Sequence, residues 1–213
     1  KDSVNSIFHF TKEMNTVRIG LLGFGNVGGG AFQILLMNKD IIEKSCGKHL
    51  VVSRVLARDK NKDRGFEFDH SIITSNVDDI INDPEIDIIA EAIGGIEPAT
   101  SYILRALEAG KNVVTANKAA LAANYDKIIN TAKEHNVRFR FEASVAAGIP
   151  ILNAIDTVLR GNQFTEIMGI VNGTTNYILT KMSDEGMSYE VALKQAQEKG
   201  FAEADPTADV EGI

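Results

Sequence analysis

The sequence is poor in the residues that form disulfides and zinc sites. Its 213 residues include a single cysteine, Cys46, and four histidines, which excludes an intrachain disulfide and leaves no Cys/His cluster of zinc-binding spacing. Lysine and arginine number 22 against 29 aspartates and glutamates, and the formal charge of −7 argues against a nucleic-acid partner, because phosphate contacts need an excess of cations. The lone cysteine favours a reducing compartment, so we predict a cytoplasmic protein.

Long apolar runs are absent as well. No stretch approaches the roughly 18 apolar residues of a membrane span, and residues 1–15 lack the apolar core and cleavage site of a signal peptide. We therefore expect no membrane partner. Met14 precedes the first predicted strand, so we interpret residues 1–15 as an extension. The chain ends at Ile213 in a loop-like run without a closing element, and we expect it to be a fragment of a longer protein.

Short apolar runs alternate with helical patterns along the first two thirds of the chain. The apolar runs predict strands at Val17–Leu22, Val51–Ala57, Ile86–Ala90, Val113–Val114 and Val137–Phe141. Helices are predicted on the apolar stripe Val27, Ala31, Ile34 and Leu35, from Pro98 to Gly110, and over Tyr125–Glu134, with a polar loop from Arg58 to His70. This alternation predicts an α/β fold with a doubly wound, Rossmann-like parallel sheet.

The pattern changes after Pro150. A long helix is predicted from Ile151 to Gly161, a strand over Phe164–Val171, and helices over Thr174–Met182 and Ser188–Glu198, the last with Ser188 as its cap. We therefore predict a dinucleotide-binding domain over residues 16–148 and an incomplete second domain over residues 149–213.

A glycine-rich motif follows the first strand and opens the first helix. It is Gly23-Phe24-Gly25-Asn26-Val27-Gly28, the G-x-G-x-x-G pattern. Gly23 permits the tight turn, Gly25 permits close approach of a pyrophosphate, and Gly28 permits close packing of the helix on the strand. The helix start supplies free N–H groups to the phosphates. The motif alone also fits a merely glycine-rich turn, but its position between strand and helix favours a cofactor site.

The choice between NADP and NAD rests on the end of the second strand. An acidic residue there would bind the ribose 2′-hydroxyl of NAD, whereas an arginine can pair with the 2′-phosphate of NADP. Arg58 comes first and Asp59 follows, so both cofactors stay open, with NADP favoured. Ile93 and Gly94, in the loop after the third predicted strand, are expected at the nicotinamide half of the cofactor; a glycine-rich helix entry is the alternative.

Four further segments resemble homoserine dehydrogenases in order and spacing. They are Thr115–Lys118, Glu142–Pro150, Gly169–Tyr177 and Gly200–Asp209. Together with the glycine motif they extend the resemblance from about Val17 to the last residue. The resemblance implies interconversion of L-homoserine and L-aspartate 4-semialdehyde with NAD(P), in the synthesis of threonine, methionine and isoleucine. It also implies that residues 149–213 begin an α+β substrate and dimerisation domain, in a homodimer or higher homo-oligomer.

The resemblance assigns roles to single residues. Lys118 corresponds to a catalytic lysine beside nicotinamide and substrate, where it can stabilise charge on the carbonyl oxygen; alone it would be a surface lysine at a helix start. Gly200 is placed at the cofactor. Glu203 corresponds to the glutamate that binds the substrate ammonium, and Asp209 lies near it. The family's general-acid lysine would lie beyond Ile213, so we expect the chain as given to lack useful turnover.

The resemblance also implies a monovalent cation, usually sodium. Its ligands would be the carboxylate of Glu142 and the carbonyls of Val145, Ala147 and Ile149, and such oxygens suit hard cations. The alternative is a helix entry in which Glu142 binds backbone N–H groups.

Two other functions remain as alternatives. One is a different Rossmann-fold semialdehyde dehydrogenase, which would need a nucleophilic cysteine. Cys46 lies between the first predicted helix and the second predicted strand, remote from the crevice at the carboxyl ends of the strands where a cofactor would bind. The other is a non-catalytic module that binds NAD(P), which Lys118 and Glu203 argue against.

Overall fold

The computed structural model describes residues 15–202 and 206–207. Contacts between residues divide the chain into two compact units, with the division between Val158 and Leu159. The boundary predicted at residue 149 precedes this division, and the residues in between stay with the first unit. They do so because Glu142 accepts hydrogen bonds from the backbone N–H groups of Leu152 (3.0 Å) and Asn153 (2.8 Å).

The first unit is built on a parallel sheet of six strands. The strands are β1 (Thr16–Leu22), β2 (His49–Leu56), β3 (Ile73–Thr74), β4 (Ile88–Glu91), β5 (Asn112–Thr115) and β6 (Phe139–Arg140). Their order across the sheet is β3-β2-β1-β4-β5-β6, and every neighbouring pair is parallel. The order reverses between β1 and β4, which is the switch point at which doubly wound sheets bind ligands. The predicted Rossmann-like α/β fold is confirmed.

Helices connect the strands and continue into the second unit. They are α1 (Asn26–Met37), α2 (Lys39–Cys46), α3 (Asp78–Ile81), α4 (Ala99–Glu108), α5 (Lys118–Glu134), α6 (Ile151–Asn153), α7 (Gly173–Glu185) and α8 (Tyr189–Glu198). A π-helical turn, Ala154–Val158, follows α6 directly. None of the helices in the described part of the chain is long and apolar enough to cross a membrane.

Successive side chains of β1 enter two different cores, as the period of a strand requires. Leu22 belongs to a core formed with α3, α4 and α5, whose fully buried members include Ile89, Ile103, Leu107 and Ile128. Leu21 belongs to a smaller core that contains Phe24, Phe32 and Val55. Both faces of the sheet are therefore covered.

The buried face of α1 differs from the prediction. Gly28, Gly29 and Phe32 are buried, whereas Val27 and Ile34 of the predicted apolar stripe are 60% and 56% exposed. Ala31 is exposed and Leu35 is half-buried. The stripe was wrong because this helix approaches the sheet through its glycines, so its contact face is narrow and contains few apolar side chains.

Two other predicted helices of the first unit differ in extent from the observed ones. Helix α5 begins earlier than predicted, at Lys118, where the side chain of Asn117 accepts a hydrogen bond from the N–H of Ala120 (3.1 Å) and caps it. Asn124 interrupts α5 with a φ of −137° and a ψ of 24°, and the predicted helix Tyr125–Glu134 follows this kink. The region predicted as one long helix from Ile151 to Gly161 contains only α6 and the π-helical turn to Val158.

The second unit contains α7 and α8, which pack through Ile178, Ala192 and Ala196. Both helices were predicted, and Ser188 occupies the cap position of α8, although its side chain makes no capping hydrogen bond there. The strand predicted over Phe164–Val171 is not formed. Its pattern was misleading because a strand needs a hydrogen-bonded neighbour, and among the described residues every strand belongs to the sheet of the first unit.

Candidate cofactor site

The glycine motif forms the turn between β1 and α1, and at two of its glycines there is no room for a side chain. Gly23 has a φ of +97°, and a Cβ there would lie 2.6 Å from the carbonyl oxygen of Ala92. A Cβ on Gly28 would lie 2.0 Å from the carbonyl oxygen of Gly23. Both positions therefore require glycine, as the motif predicts for its turn and for helix packing.

The middle glycine of the motif faces open space. No atom lies within 4 Å of the place that a Cβ on Gly25 would take. Gly25 is the cap residue of α1, no side chain caps this helix, and its first turn contains no acidic residue. The N–H groups and the positive end of the helix dipole are thus left to an anion from outside. The residues present fit the pyrophosphate of a dinucleotide.

A cavity of about 500 Å³ lies at the carboxyl ends of the strands, beside this turn. Five residues of the predicted cofactor site line it: Gly23, Gly25, Arg58, Ile93 and Gly94. Phe24 and Asn26 line a smaller adjoining cavity of about 340 Å³. The structure thus brings both predicted halves of the cofactor site, the glycine turn and the loop after β4, to one crevice.

Arg58 and Asp59 differ in what they contact. One carboxylate oxygen of Asp59 accepts a hydrogen bond from the N–H of Asn61 (2.9 Å), which closes a local turn. Arg58 is exposed at the crevice, and no hydrogen bond or ion pair from its side chain to the described residues is found. The guanidinium is therefore available to an incoming anion, whereas the aspartate already serves the turn.

A buried acid that sequence reasoning missed connects two loops of the crevice. Glu91, at the end of β4, is 2% exposed. Its carboxyl oxygens accept hydrogen bonds from the N–H of Ile93 (2.7 Å) and from the hydroxyl of Thr115 at the end of β5 (2.5 Å). Thr115 in turn accepts the N–H of Asn117 (2.9 Å), and the Asn117 amide donates to the carbonyl of Gly95 (2.7 Å). The signal in the sequence was a charged residue ending a buried apolar strand.

Two further members of the predicted cofactor set, Lys118 and Val27, belong to the first unit but do not line these two cavities. Lys118 is the exposed first residue of α5, directly after the Thr115–Asn117 network. Val27 is exposed on the first turn of α1. Gly200 belongs to the second unit, where it follows the end of α8 and has a φ of +75°. Glu203 and Asp209, the predicted substrate ligands, lie outside the described residues.

Glu142 has the role that the alternative interpretation gave it. Its two carboxylate oxygens accept the N–H groups of Leu152 and Asn153 and so cap the first turn of α6. Ala147 has a left-handed backbone, with φ +50°, in the turn that carries the proposed carbonyl ligands. Among the described residues, no three His, Cys, Asp or Glu side chains lie together in a metal-binding cluster. Each carboxylate oxygen of Glu142 retains a second lone pair, so one cation ligand is compatible with the cap.

Two family models match the chain in sequence order. The model described as the NAD binding domain of homoserine dehydrogenase matches residues 23–142, and the one described as homoserine dehydrogenase matches residues 150–213.

Individual proteins and solved structures that match the chain are also named homoserine dehydrogenase. The homoserine dehydrogenase of Bacillus subtilis strain 168 is 45% identical over 200 residues, covering 94% of this chain and 46% of that protein. The crystal structure of a homoserine dehydrogenase from Thiobacillus denitrificans matches with a TM-score of 0.85 and 42% identity, over 92% of this chain and 45% of that one. A hyperthermophilic archaeal homoserine dehydrogenase in complex with NADPH matches with a TM-score of 0.73 and 29% identity, over 93% of this chain and 66% of that one. The chain spans about half the length of the first two relatives.

Proposed function

Because the chain belongs to the homoserine dehydrogenase family, we propose that it forms the cofactor-binding part of an NAD(P)-dependent oxidoreductase that interconverts L-homoserine and L-aspartate 4-semialdehyde. The observation that carries this proposal is the glycine turn at the switch point of the sheet, open at Gly25 and closed at Gly23 and Gly28. When bound, the nicotinamide accepts or donates the hydride. The family resemblance also supports a homodimer or higher homo-oligomer in threonine, methionine and isoleucine synthesis, and the lone cysteine supports a cytoplasmic protein.

NADP is the proposed cofactor, with Arg58 pairing with its 2′-phosphate. Two observations support this choice: Arg58 is an exposed guanidinium at the crevice, and Asp59 serves a local turn. An arginine presents a planar fork that matches phosphate geometry, and its charge persists at every relevant pH. The archaeal relative in complex with NADPH is consistent with the choice.

The substrate end of the proposal depends on three residues. Lys118 stabilises the negative charge that grows on the carbonyl oxygen as the aldehyde is reduced, while Glu203 and Asp209 hold the amino acid, Glu203 through the ammonium group. The position of Lys118 at the start of α5, after the strand end that the Glu91 network fixes, supports its part of this assignment. The roles of Glu203 and Asp209 rest on the family motif alone.

A monovalent cation, usually sodium in this family, is the last component of the proposal. Glu142 and the carbonyls of Val145, Ala147 and Ile149 would hold it. Support comes from the Glu142 carboxylate, which precedes a turn whose residues Ala146 and Ala147 have left-handed φ values, and oxygen donors of this kind suit a hard cation.

Cys46 argues against the alternative that a nucleophilic cysteine forms a thioester. It ends α2, just before β2 begins, and thus lies at the amino end of that strand. The crevice lies at the carboxyl ends of the strands, so Cys46 is at the opposite end of the strands from the crevice.

Cofactor binding can be tested directly on this chain. The chain has no tryptophan, so the nicotinamide emission of NADPH or NADH can be followed without tryptophan background. Arg58→Ala should weaken NADPH binding about ten- to a hundred-fold, since a charge-assisted contact contributes roughly 1.5–3 kcal/mol. NADH binding should change little, and an equal loss for both cofactors would refute the 2′-phosphate contact.

Catalysis can be tested in a chimaera in which this chain replaces the corresponding part of the Bacillus subtilis relative. The chimaera should oxidise homoserine with NADP. Glu203→Gln in it should raise the KM for homoserine while NADPH binding stays unchanged. A folded chimaera that binds NADPH but leaves homoserine unchanged would contradict the proposed reaction.

A further inference from the structure

The long connection after β2 has no helix or strand before His70, yet it is anchored to the glycine turn. Its far end is held by an aromatic cluster. The ring of Phe24, in the glycine motif, lies 6.0 Å from that of Phe66 and 5.2 Å from that of Phe68. Phe32 of α1 completes the cluster at 5.9 Å from Phe66 and 5.8 Å from Phe68. This part of the connection is therefore fixed by packing.

The side chain of Arg64 links the near end of the same connection to the glycine turn. Its guanidinium lies over the ring of Phe24, 4.6 Å from the centroid, and its Nε donates to the Phe24 carbonyl at 3.4 Å. The other two nitrogens donate to the carbonyls of Asp59 (2.8 Å) and Lys62 (2.7 Å). One guanidinium thus ties three backbone carbonyls of two loops together.

The residue that precedes Asp59 is Arg58, the proposed partner of the 2′-phosphate. We propose that Arg64 is a positioning residue for cofactor choice: by fixing the carbonyl of Asp59 against the glycine turn, it holds Arg58 where the phosphate arrives. This inference rests on the proposed function of Arg58. Three of the five N–H donors of Arg64 are taken by backbone carbonyls, which gives it a structural role in the connection. The proposed role is exerted through Arg58 and the turn, and the double variant below separates it from direct contact with the phosphate.

Loss of Arg64 should therefore weaken NADPH binding without removing any phosphate ligand. When a binding-competent arrangement is only partly populated, the apparent Kd rises in inverse proportion to that population; if one tenth of the molecules keep Arg58 in place, the rise is about tenfold. Lysine cannot substitute, because a single ammonium on a flexible chain does not reproduce the planar fork that reaches three carbonyls.

The test measures Kd for NADPH and NADH with this chain, by nicotinamide fluorescence, in Arg64→Lys, Arg64→Met, Arg58→Ala and the double variant Arg58→Ala/Arg64→Met. Arg64→Lys and Arg64→Met should each raise the Kd for NADPH about tenfold, and raise that for NADH less. Arg58→Ala should raise the Kd for NADPH by a smaller factor in the Arg64→Met background than in the wild type, because a misplaced Arg58 already contributes less to NADPH binding. Lys60→Met removes one exposed charge from the same connection and should leave the NADPH Kd near the wild-type value.

Each result has a definite meaning. NADPH affinity retained in Arg64→Lys, or additive losses in the double variant, would overturn the positioning role while the Arg58 contact stands. No effect of Arg58→Ala on the preference for NADPH would overturn the 2′-phosphate contact and, with it, the positioning role. Circular dichroism and the thermal midpoint identify variants that fail to fold, and the conservative lysine variant then carries the test.

Discussion

The carboxyl group of Glu91, at the end of β4, accepts a hydrogen bond from the hydroxyl of Thr115, at the end of β5. Both side chains are buried, at 2% and 1% exposure. The contact joins the carboxyl ends of two neighbouring strands at the edge of the sheet where the crevice lies. Through the N–H of Ile93 and the side chain of Asn117 it continues into the two loops that follow these strands. The crevice wall is therefore held by a polar network inside an apolar sheet.

Glu91→Ala should destabilise the chain strongly. The change leaves the N–H of Ile93 and the hydroxyl of Thr115 without their acceptor, and each unsatisfied buried group costs about 1–3 kcal/mol, so about 2–6 kcal/mol is expected. Urea unfolding should show a lower midpoint at an unchanged slope. Thr115→Val keeps almost the same shape but removes the hydroxyl that donates to Glu91 and accepts the N–H of Asn117. In a double-mutant cycle, Glu91→Ala and Thr115→Val should couple by about 0.5–3 kcal/mol. Additive losses would show that the contact contributes nothing of its own.

Apolar patterns were sufficient to predict most of the sheet. The runs that became β1, β2, β4 and β5 are bounded by glycine or polar residues, so their positions follow from local sequence. Strand β3 is only Ile73–Thr74, too short for a periodic signal, and it exists because β2 offers it a neighbour. Short elements of this kind are fixed by tertiary contacts that no local pattern contains.

The candidate site divides in the same way. The glycine turn was predictable because strand, motif and helix follow one another in sequence. Glu91 was missed because its partners, Thr115 and Asn117, are far away in the chain and meet it only when β4 and β5 pair. Arg64 was hidden for a similar reason: its contact with Phe24 depends on how a loop without regular structure folds back.

The glycines of the first helix should respond to alanine in three different ways. Gly28→Ala should destabilise the chain by at least about 1–3 kcal/mol, because its Cβ would meet the Gly23 carbonyl and the helix would have to move. Gly25→Ala should leave the thermal midpoint nearly unchanged but weaken NADPH binding, because its Cβ enters the open space proposed for the pyrophosphate. Gly30→Ala, also in open space but inside the helix, should stabilise by about 0.5–1 kcal/mol. Unchanged NADPH binding by Gly25→Ala would place the pyrophosphate elsewhere.

Glu43 should make the chain sensitive to acid. Burial raises the pKa of this carboxyl, but hydrogen bonds from His49 and from the N–H of Leu50, with the charges of His49 and Lys39, outweigh burial, and its pKa is lowered overall. A lowered pKa in the folded state gives stability that is present above the unfolded pKa, about 4.3, and is lost as the pH falls through the folded value.

The thermal midpoint, followed from pH 7 towards pH 3, tests this effect. Glu43→Gln should flatten the acid limb relative to the wild type, because the titrating group is gone. Glu108→Gln, an exposed glutamate on α4, serves as the control and should keep the wild-type slope. Identical acid limbs for wild type and Glu43→Gln would show that other groups govern the loss.

Glu142 allows a helix cap to be separated from a cation ligand in one experiment. As a cap it accepts two N–H groups of α6, so Glu142→Ala should lower the stability by about 1 kcal/mol in any salt.

As a sodium ligand, Glu142 should make a second contribution to stability that appears only when sodium is present. At a sodium concentration ten times its Kd, binding to the folded state stabilises by about 1.4 kcal/mol. The wild type should therefore unfold at a higher temperature in sodium chloride than in tetramethylammonium chloride at equal ionic strength. Glu142→Ala should unfold at the same temperature in both, and equal midpoints for the wild type would leave Glu142 as a cap alone.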